Sequence, residues 1–163
     1  NIMDTYAEHI VKKIPTGNDT LKKVLAASVS IITGTLIAIV FMPIGLLFAM
    51  AIFYGGYYWF TSFDIEYEYA VTNGEIDIDK IIAKRKRKKM LTVNAGTFET
   101  FAKIENGNLP DNNDNRTVFM LSGGENEYYA DFNHSEYGKS RLIFSPNEKM
   151  LDCINPYLPR SIR

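Results

Sequence analysis

Hydrophobic residues fill one long stretch of the chain and alternate with polar residues in most of the remainder. From Val24 to Phe63 no Asp, Glu, Lys, Arg or His interrupts the apolar and aromatic residues. This stretch is far longer than the roughly 18 apolar residues that mark a membrane-spanning helix. One continuous helix over it would extend about 60 Å, against roughly 30 Å of hydrocarbon in a bilayer. The pattern therefore predicts a membrane segment that turns back on itself.

Pro43 divides the apolar stretch into two helices. Proline lacks a backbone donor and disfavours a helical residue before it. The sequence predicts one helix from Leu21 to Phe41 and a second from Ile44 to Phe60. Aromatic residues at the end of the second helix are typical of a membrane interface. We therefore predict a transmembrane helical hairpin over residues 21–62.

Small residues recur at every fourth position of the first predicted helix. This small-residue stripe consists of Ala26, Ser30, Gly34 and Ala38. Because lipid tails are as apolar as leucine, helices in a membrane associate through close packing, which small side chains permit. The stripe predicts helix packing, either within the hairpin or between two copies of the chain.

Positive charge on both flanks of the hairpin predicts its orientation. Lys12, Lys13, Lys22 and Lys23 precede it and a cluster at residues 84–89 follows it, whereas the connecting turn carries no cation. An excess of Lys and Arg marks the cytoplasmic side of a membrane protein. We expect a two-span protein of the cell membrane with both termini in the cytoplasm.

The segment before the hairpin has a helical pattern. Apolar residues between Met3 and Ile14 fall at intervals of three and four, and Thr5 and Glu8 have the spacing of a capping box. The sequence PTG then ends the pattern. Within residues 1–20 we predict an amphipathic helix that either lies on the bilayer or docks on the soluble domain.

After Phe63 the hydrophobic period changes from that of a helix to that of a strand. Alternating segments on both sides of Asn73 and Gly74 predict a β-hairpin with a tight turn. Four further strands are predicted, at MLTVNAGTF (90–98), TVFMLS (117–122), EYYADFN (127–133) and SRLIFS (140–145). The segment 98–107 either continues the third strand or forms one or two helical turns.

A helix is predicted at the end of the chain. Pro146 stands at its start, and Met150, Leu151, Ile154 and Leu158 recur on one helical face. Short antiparallel strands closed by one helix predict an α+β domain over residues 63–163, in the form of a small antiparallel β-barrel or rolled sheet with few open edges.

Two segments carry a family resemblance, FDIEYEYAVTNGEIDIDKI (63–81) and GKSRLIFSPNEKMLDCINPYLP (138–159). Behind a two-helix hairpin, they resemble small Gram-positive bacterial membrane proteins of unknown function that carry a cytosolic pleckstrin-homology-like (PH-like) domain. The resemblance spans nearly the whole chain and implies a seven-stranded, barrel-like sheet capped by a helix. It brings no catalytic residues, and this fold hosts lipid, peptide and protein binders alike. The residues that carry it are Tyr69, Val71, Thr72, Asn73, Gly74 and Pro146.

No set of residues in the sequence predicts an enzyme, a metal site or a cofactor. The two histidines, His9 and His134, form no metal-type pair with the single cysteine, Cys153. We expect His134 to be a solvated loop residue and Cys153 to lie in or near the core. The segment Asp111–Asn115 alternates oxygen ligands as a calcium loop does, but it lacks the glycine and the glutamate that such a loop needs.

One short segment concentrates positive charge in a chain whose net charge is −1. A strand with six consecutive cations would bury half of them at high cost, so we predict an exposed loop. Acidic residues gather elsewhere, because seven of them lie between Ile104 and Tyr137 against the single Arg116. This basic run consists of Lys84, Arg85, Lys86, Arg87, Lys88 and Lys89.

Three interpretations of the basic run compete. Contact with anionic lipid is favoured, because the hairpin tethers the run near a bilayer and each basic residue adds about 1 kcal/mol there. Nucleic acid is disfavoured, because the run has no interleaved aromatic residue and the domain is not basic overall. In the third interpretation, the basic run binds no partner and only sets the membrane topology and keeps the domain soluble.

These patterns together predict a non-enzymatic membrane protein that presents a cytosolic binding or scaffolding domain. Membrane lipids are its expected partners, and a partner protein or a second copy of the chain is a further candidate. The alternative function is an accessory or regulatory subunit of a membrane transporter or channel.

Overall fold

The computed structural model describes residues 4–163, and the chain forms two compact units. The helical unit comprises Ile14–Ile65 and Ile82–Arg85. The β-rich unit comprises the described residues up to Lys13, together with Glu66–Ile81 and Lys86–Arg163. Met3, where the predicted amphipathic helix begins, lies outside the described residues.

The helical unit is built on two antiparallel helices, α1 (Gly17–Val40) and α2 (Gly45–Thr61). Thr16 starts α1 through a capping box, because its side chain accepts a hydrogen bond from Asp19 N while its backbone N donates to the Asp19 carboxylate at 3.1 Å. The helices meet at a short turn that contains Pro43, which is where the sequence predicts the break.

Length and composition bear on whether these helices cross a membrane. Among the described residues, α1 is the one helix that is both long enough and apolar enough to do so. With 17 residues, α2 is shorter, and it exposes large apolar side chains such as Leu47, Phe48 and Met50. Length and composition therefore support one membrane span.

The described part of the β-rich unit forms two four-stranded sheets. The first sheet, in the order β1-β2-β3-β4, contains β1 (Tyr6–Lys12), β2 (Ile65–Thr72), β3 (Glu75–Ile82) and β4 (Lys86–Asn94). The second sheet, in the order β5-β7-β8-β6, contains β5 (Phe98–Lys103), β6 (Thr117–Met120), β7 (Tyr128–His134) and β8 (Gly138–Phe144).

The prediction of an α+β fold with antiparallel pairing is confirmed. Of the two predicted forms, a small antiparallel barrel or a rolled sheet, the barrel is wrong, because the described strands form no closed barrel. The strands form two separate sheets, and β6 pairs with β8 in parallel. Parallel strands need a long connection. Residues 121–137 connect β6 to β8 and include β7, which lies on the other side of β8. The segment 104–116 carries the chain from β5 at one edge of the sheet to β6 at the other.

The prediction of an N-terminal amphipathic helix is also wrong, because this segment forms β1. It pairs antiparallel with β2 along its whole length and adds a strand to the seven that the family resemblance implies. Ala7 is fully buried and Val11 is half-buried, whereas Tyr6 and Ile10 are exposed. Residues four apart share a face of a strand as well as of a helix, and so short a helix is marginal by itself.

The core lies between the two sheets and is closed by α3 (Glu148–Ile154), which confirms the predicted C-terminal helix. Met150 and Ile154 of α3 are fully buried. The ring of Tyr69 meets that of Phe144 edge-on, with their centroids 5.8 Å apart. The Tyr69 hydroxyl donates a hydrogen bond to Leu121 O and accepts one from Ser145 N at 3.2 Å. Burial is the largest cause of the raised pKa of Tyr69.

Candidate functional site

A tight turn between β3 and β4 positions the start of the basic run. Ala83 and Lys84 both adopt positive φ, at 54° and 56°, and Arg85 N donates to Ile82 O at 3.1 Å. Two consecutive central residues with positive φ are typical of the type I′ turn, which matches the twist of the strands it connects. Lys84 and Arg85 are exposed at this turn.

The remainder of the basic run belongs to a strand, which corrects the prediction of a loop. Lys86 to Lys89 are the first residues of β4 and all four are exposed. Burial begins at Met90 and becomes complete at Leu91, so the strand extends beyond the core before its side chains are enclosed. The expected cost of burying half the cations does not arise, because this part of β4 covers no core.

Arg85 contacts the C-terminal end of α2 within the helical unit. Its Nη2 donates to Tyr58 O at 3.3 Å and to Thr61 Oγ1 at 2.9 Å, and its guanidinium lies 4.0 Å from the centroid of the Tyr58 ring. At the same end of the helix pair, Lys23 of α1 forms an ion pair with Asp64. Cationic side chains therefore gather where the two helices join the rest of the chain.

Exposed aromatic side chains accompany these cations on α2. Tyr and Trp combine an apolar ring with a polar edge, and they are enriched where a membrane meets water. The exposed aromatic residues of the C-terminal half of α2 are Tyr54, Tyr57, Tyr58 and Trp59.

Within the β-rich unit, the basic run contains both paired and unpaired cations. Arg87 bonds to Glu68 and Asp79, and Lys89 Nζ lies 3.4 Å from Asp77 Oδ1. The side chains of Lys86 and Lys88 make no hydrogen bond or ion pair with the described residues. Successive side chains of a strand point to opposite faces, so the paired and unpaired cations of β4 lie on opposite sides of it.

The small-residue stripe of α1 faces α2. Ala26 and Gly34 are buried, and Ser30 and Ala38 are half-buried. A Cβ atom placed on Gly56 would lie only 2.4 Å from Ser30 Cβ, so the two backbones approach closely at this point. The stripe is thus occupied within a single chain.

The second sheet carries a buried ion pair that the sequence interpretation missed. The Arg141 guanidinium bonds to Asp131 through two contacts, Nε to Oδ1 at 2.6 Å and Nη2 to Oδ2 at 2.9 Å, and its Nη1 donates to Pro110 O at 2.5 Å. Nearby, Arg116 Nη2 donates to Glu99 Oε2 at 2.7 Å and to Asp114 Oδ2 at 3.3 Å. These bonds fasten the segment 104–116 onto the sheet.

Both arginines are held in their charged form. The hydrogen bond to Asp131 is the largest cause of the raised pKa of Arg141. Burial is the largest influence on Arg116 and lowers its pKa, but the hydrogen bond to Glu99 and the neighbouring carboxylates more than offset it, so the pKa is raised. In the polar cavity of about 280 Å³ beside them, the two arginines are thus engaged by neighbouring carboxylates, and no buried side-chain N or O atom of the described residues lacks a hydrogen-bond partner.

His134 and Cys153 were considered as candidates for catalysis or metal binding, and both lie in regular secondary structure. His134 ends β7 and is not the solvated loop residue that we predicted: its Nε2 bonds to Thr92 O at 3.0 Å, and its Nδ1 accepts from Glu136 N at 3.1 Å. Its ring stacks on Tyr137 with the centroids 4.9 Å apart. Cys153 is half-buried on α3. Over residues 4–163, no three His, Cys, Asp or Glu side chains are placed to hold a metal ion.

Comparison with known proteins gives one match. The family described as "Bacterial PH-like domain (DUF6106)" matches residues 3–163. No match was found among curated proteins or among solved structures.

Proposed function

We propose that this chain, which belongs to the family of bacterial PH-like domains, is an integral membrane protein that contacts anionic lipid through its basic run. One observation carries the proposal. The turn that starts the basic run is bonded through Arg85 to the C-terminal end of α2, beside the exposed aromatic residues of that helix. This arrangement of cations and aromatic rings is the one expected at a membrane surface.

Both helices serve as spans in this proposal. At about 1.5 Å per residue, α2 is roughly 26 Å long, which is close to the 30 Å of hydrocarbon. The cations stand at the end of the helix pair that carries both connections to the β-rich unit, and the turn at Pro43 has none. The excess of positive charge at that end supports a cytoplasmic location for the β-rich unit and both termini.

Labelling from each side of the membrane tests this topology. In a Cys153→Ser background, we expect Met42→Cys and Asn112→Cys to react with a membrane-impermeant thiol reagent from opposite sides of sealed vesicles. Met42 is exposed in the turn between the helices, and Asn112 is exposed in the β-rich unit. Reaction of both cysteines from the same side would contradict the two-span arrangement.

The unpaired lysines are the residues that we assign to lipid contact. The side chains of Lys84, Lys86 and Lys88 are exposed and make no hydrogen bond or ion pair with the described residues. Arg87 and Lys89 are already neutralised by Glu68, Asp77 and Asp79. Each unpaired cation near an anionic surface contributes about 1 kcal/mol, and the attraction is screened over about 8 Å at physiological ionic strength.

Two matched double variants of the full chain test the lipid assignment. We expect Lys86→Gln with Lys88→Gln to weaken binding of phosphatidylglycerol by up to about 30-fold, because two contributions of about 1 kcal/mol are lost. The control, Arg87→Gln with Lys89→Gln, removes the same charge from the same strand but should weaken binding less. Native mass spectrometry of the detergent-solubilised protein measures the bound lipid. Equal losses in both variants, or equal binding of phosphatidylcholine, would contradict the assignment.

A further inference from the structure

The strand β6 forms an open edge of the second sheet. It pairs with β8 on one side and has no strand on the other side among the described residues. Its side chains Val118 and Met120 are 45% and 56% exposed. Sheet edges in proteins are commonly protected by charges or proline, and none occurs between Thr117 and Met120. An unprotected edge with exposed apolar side chains is suited to pairing with another strand.

The backbone of β6 presents hydrogen-bonding groups to this edge. Leu121 N donates to Ile143 O at 2.9 Å, in continuation of the parallel pairing between β6 and β8. Alternate residues of a strand direct their N–H and C=O groups to opposite sides. The backbone groups of Val118 and Met120 therefore point away from β8, toward the open edge.

The segments that precede and follow β6 in the sequence are acidic. Asp111 and Asp114 precede the strand and Glu125 and Glu127 follow it, and Arg116 is engaged by Glu99 and Asp114. In the β-ladder, Arg141 lies opposite Val118, but it is buried and bonded to Asp131. Lys139 is next to Ser140, which pairs with Thr117. A strand that pairs with β6 would meet mostly negative charge at both ends.

We infer that the open edge of β6 is a docking site for an extended, basic segment of a partner protein. The segment adds a strand to the sheet through the outward groups of Val118 and Met120. Its apolar side chains cover these two residues, while its lysines or arginines meet the acidic flanks. This site is separate from the basic run and does not depend on the lipid contact proposed for it.

The test uses the full chain in nanodiscs of neutral phosphatidylcholine, so that lipid does not capture a cationic probe. The probe is a hexapeptide of alternating lysine and valine, and its control alternates glutamate and valine. We expect the lysine peptide to bind at least about ten-fold more tightly, with an affinity that falls as salt rises. Fluorescence anisotropy measures Kd, and hydrogen exchange at Val118 and Met120 should slow only with the lysine peptide.

Substitutions in β6 separate strand addition from attraction between charges alone. Val118→Pro removes an N–H that points to the open edge, and should raise the Kd of the lysine peptide by about ten-fold. Val118→Thr keeps that N–H and should change the Kd little. Met120→Lys places a cation on the same edge without altering the backbone, and should weaken binding of the lysine peptide to a similar extent. It provides the test if Val118→Pro impairs folding.

Three results would overturn the inference. Equal affinity for the two peptides would remove the charge preference. If Val118→Pro and Met120→Lys both bind the lysine peptide as tightly as the unmodified chain does, the peptide does not add a strand at β6. If the unmodified chain forms dimers in nanodiscs and the Met120→Lys variant does not, the edge binds a second copy of the chain instead of a partner protein.

Discussion

Replacement of Asp131 by alanine is expected to lower the free energy of unfolding of the β-rich unit by about 3–5 kcal/mol. The substitution leaves the Arg141 guanidinium buried, with its side chain only 4% exposed, and removes the carboxylate that bonds to it at 2.6 and 2.9 Å. Hydrogen exchange of the β7 and β8 amides in the full chain measures this loss, because these amides lie in the centre of the second sheet.

Two further variants establish whether burial of the pair is the cause. Asp114→Ala removes a carboxylate that is 55% exposed and lies 3.3 Å from Arg116, and should cost less than about 1 kcal/mol. Replacing both partners, by Asp131→Leu with Arg141→Met, should recover much of the lost stability, because no charge is then left unpaired. A loss from Asp131→Ala no larger than that from Asp114→Ala would contradict the argument.

The sequence contains a signal for this pair in the spacing of its two residues around a turn. Asp131 and Arg141 lie in two predicted strands joined by a short turn, and they are direct partners in the antiparallel pairing of β7 and β8. Opposite charges at facing positions of neighbouring strands stabilise their pairing. Aligning the two predicted strands around the turn is therefore sufficient to place the two residues opposite each other.

Other features depend on distant parts of the chain. The helix break at Pro43 and the C-terminal helix follow from local residue preferences, and the sequence is sufficient to predict both. By contrast, each residue of β1 pairs with a residue of β2 that lies more than 50 positions later in the chain, as Tyr6 does with Thr72. The sequence near β1 therefore does not contain its partner strand. Tertiary pairing here overrides a local helical pattern.

The basic run shows the same limit at the candidate site. Its charge is sufficient to predict exposure, but its structure depends on where the core ends along β4, which the sequence of the run does not contain. The separation into paired and unpaired cations depends on acids from other strands, including Glu68 of β2 and Asp79 of β3. Only the folded sheet brings these residues together.

The adjacent residues Gly55 and Gly56 provide the second large expected effect, because they differ only in the face of α2 that they occupy. Gly56 is buried, and a Cβ atom there would lie 2.1 Å from Ser30 Oγ, whereas a Cβ atom on Gly55 has no neighbour within 4 Å. We expect Gly56→Leu to cost close to 3 kcal/mol of helix-pair stability, at the upper end of the range for overpacking. The gain in helix propensity, about 1 kcal/mol, offsets only part of this loss.

Gly55→Leu is the matched control, since it gains the same propensity and meets no neighbouring atom within the chain. Helix content during titration with a denaturing detergent measures stability, and light scattering of the solubilised protein measures oligomer size. Similar losses from Gly55→Leu and Gly56→Leu would contradict close packing of the stripe on α2. A loss confined to Gly55→Leu, with a smaller oligomer, would show instead that the exposed face of α2 packs against a second copy. Because Ala26 and Gly34 are already buried within one chain, we expect the loss to be confined to Gly56→Leu.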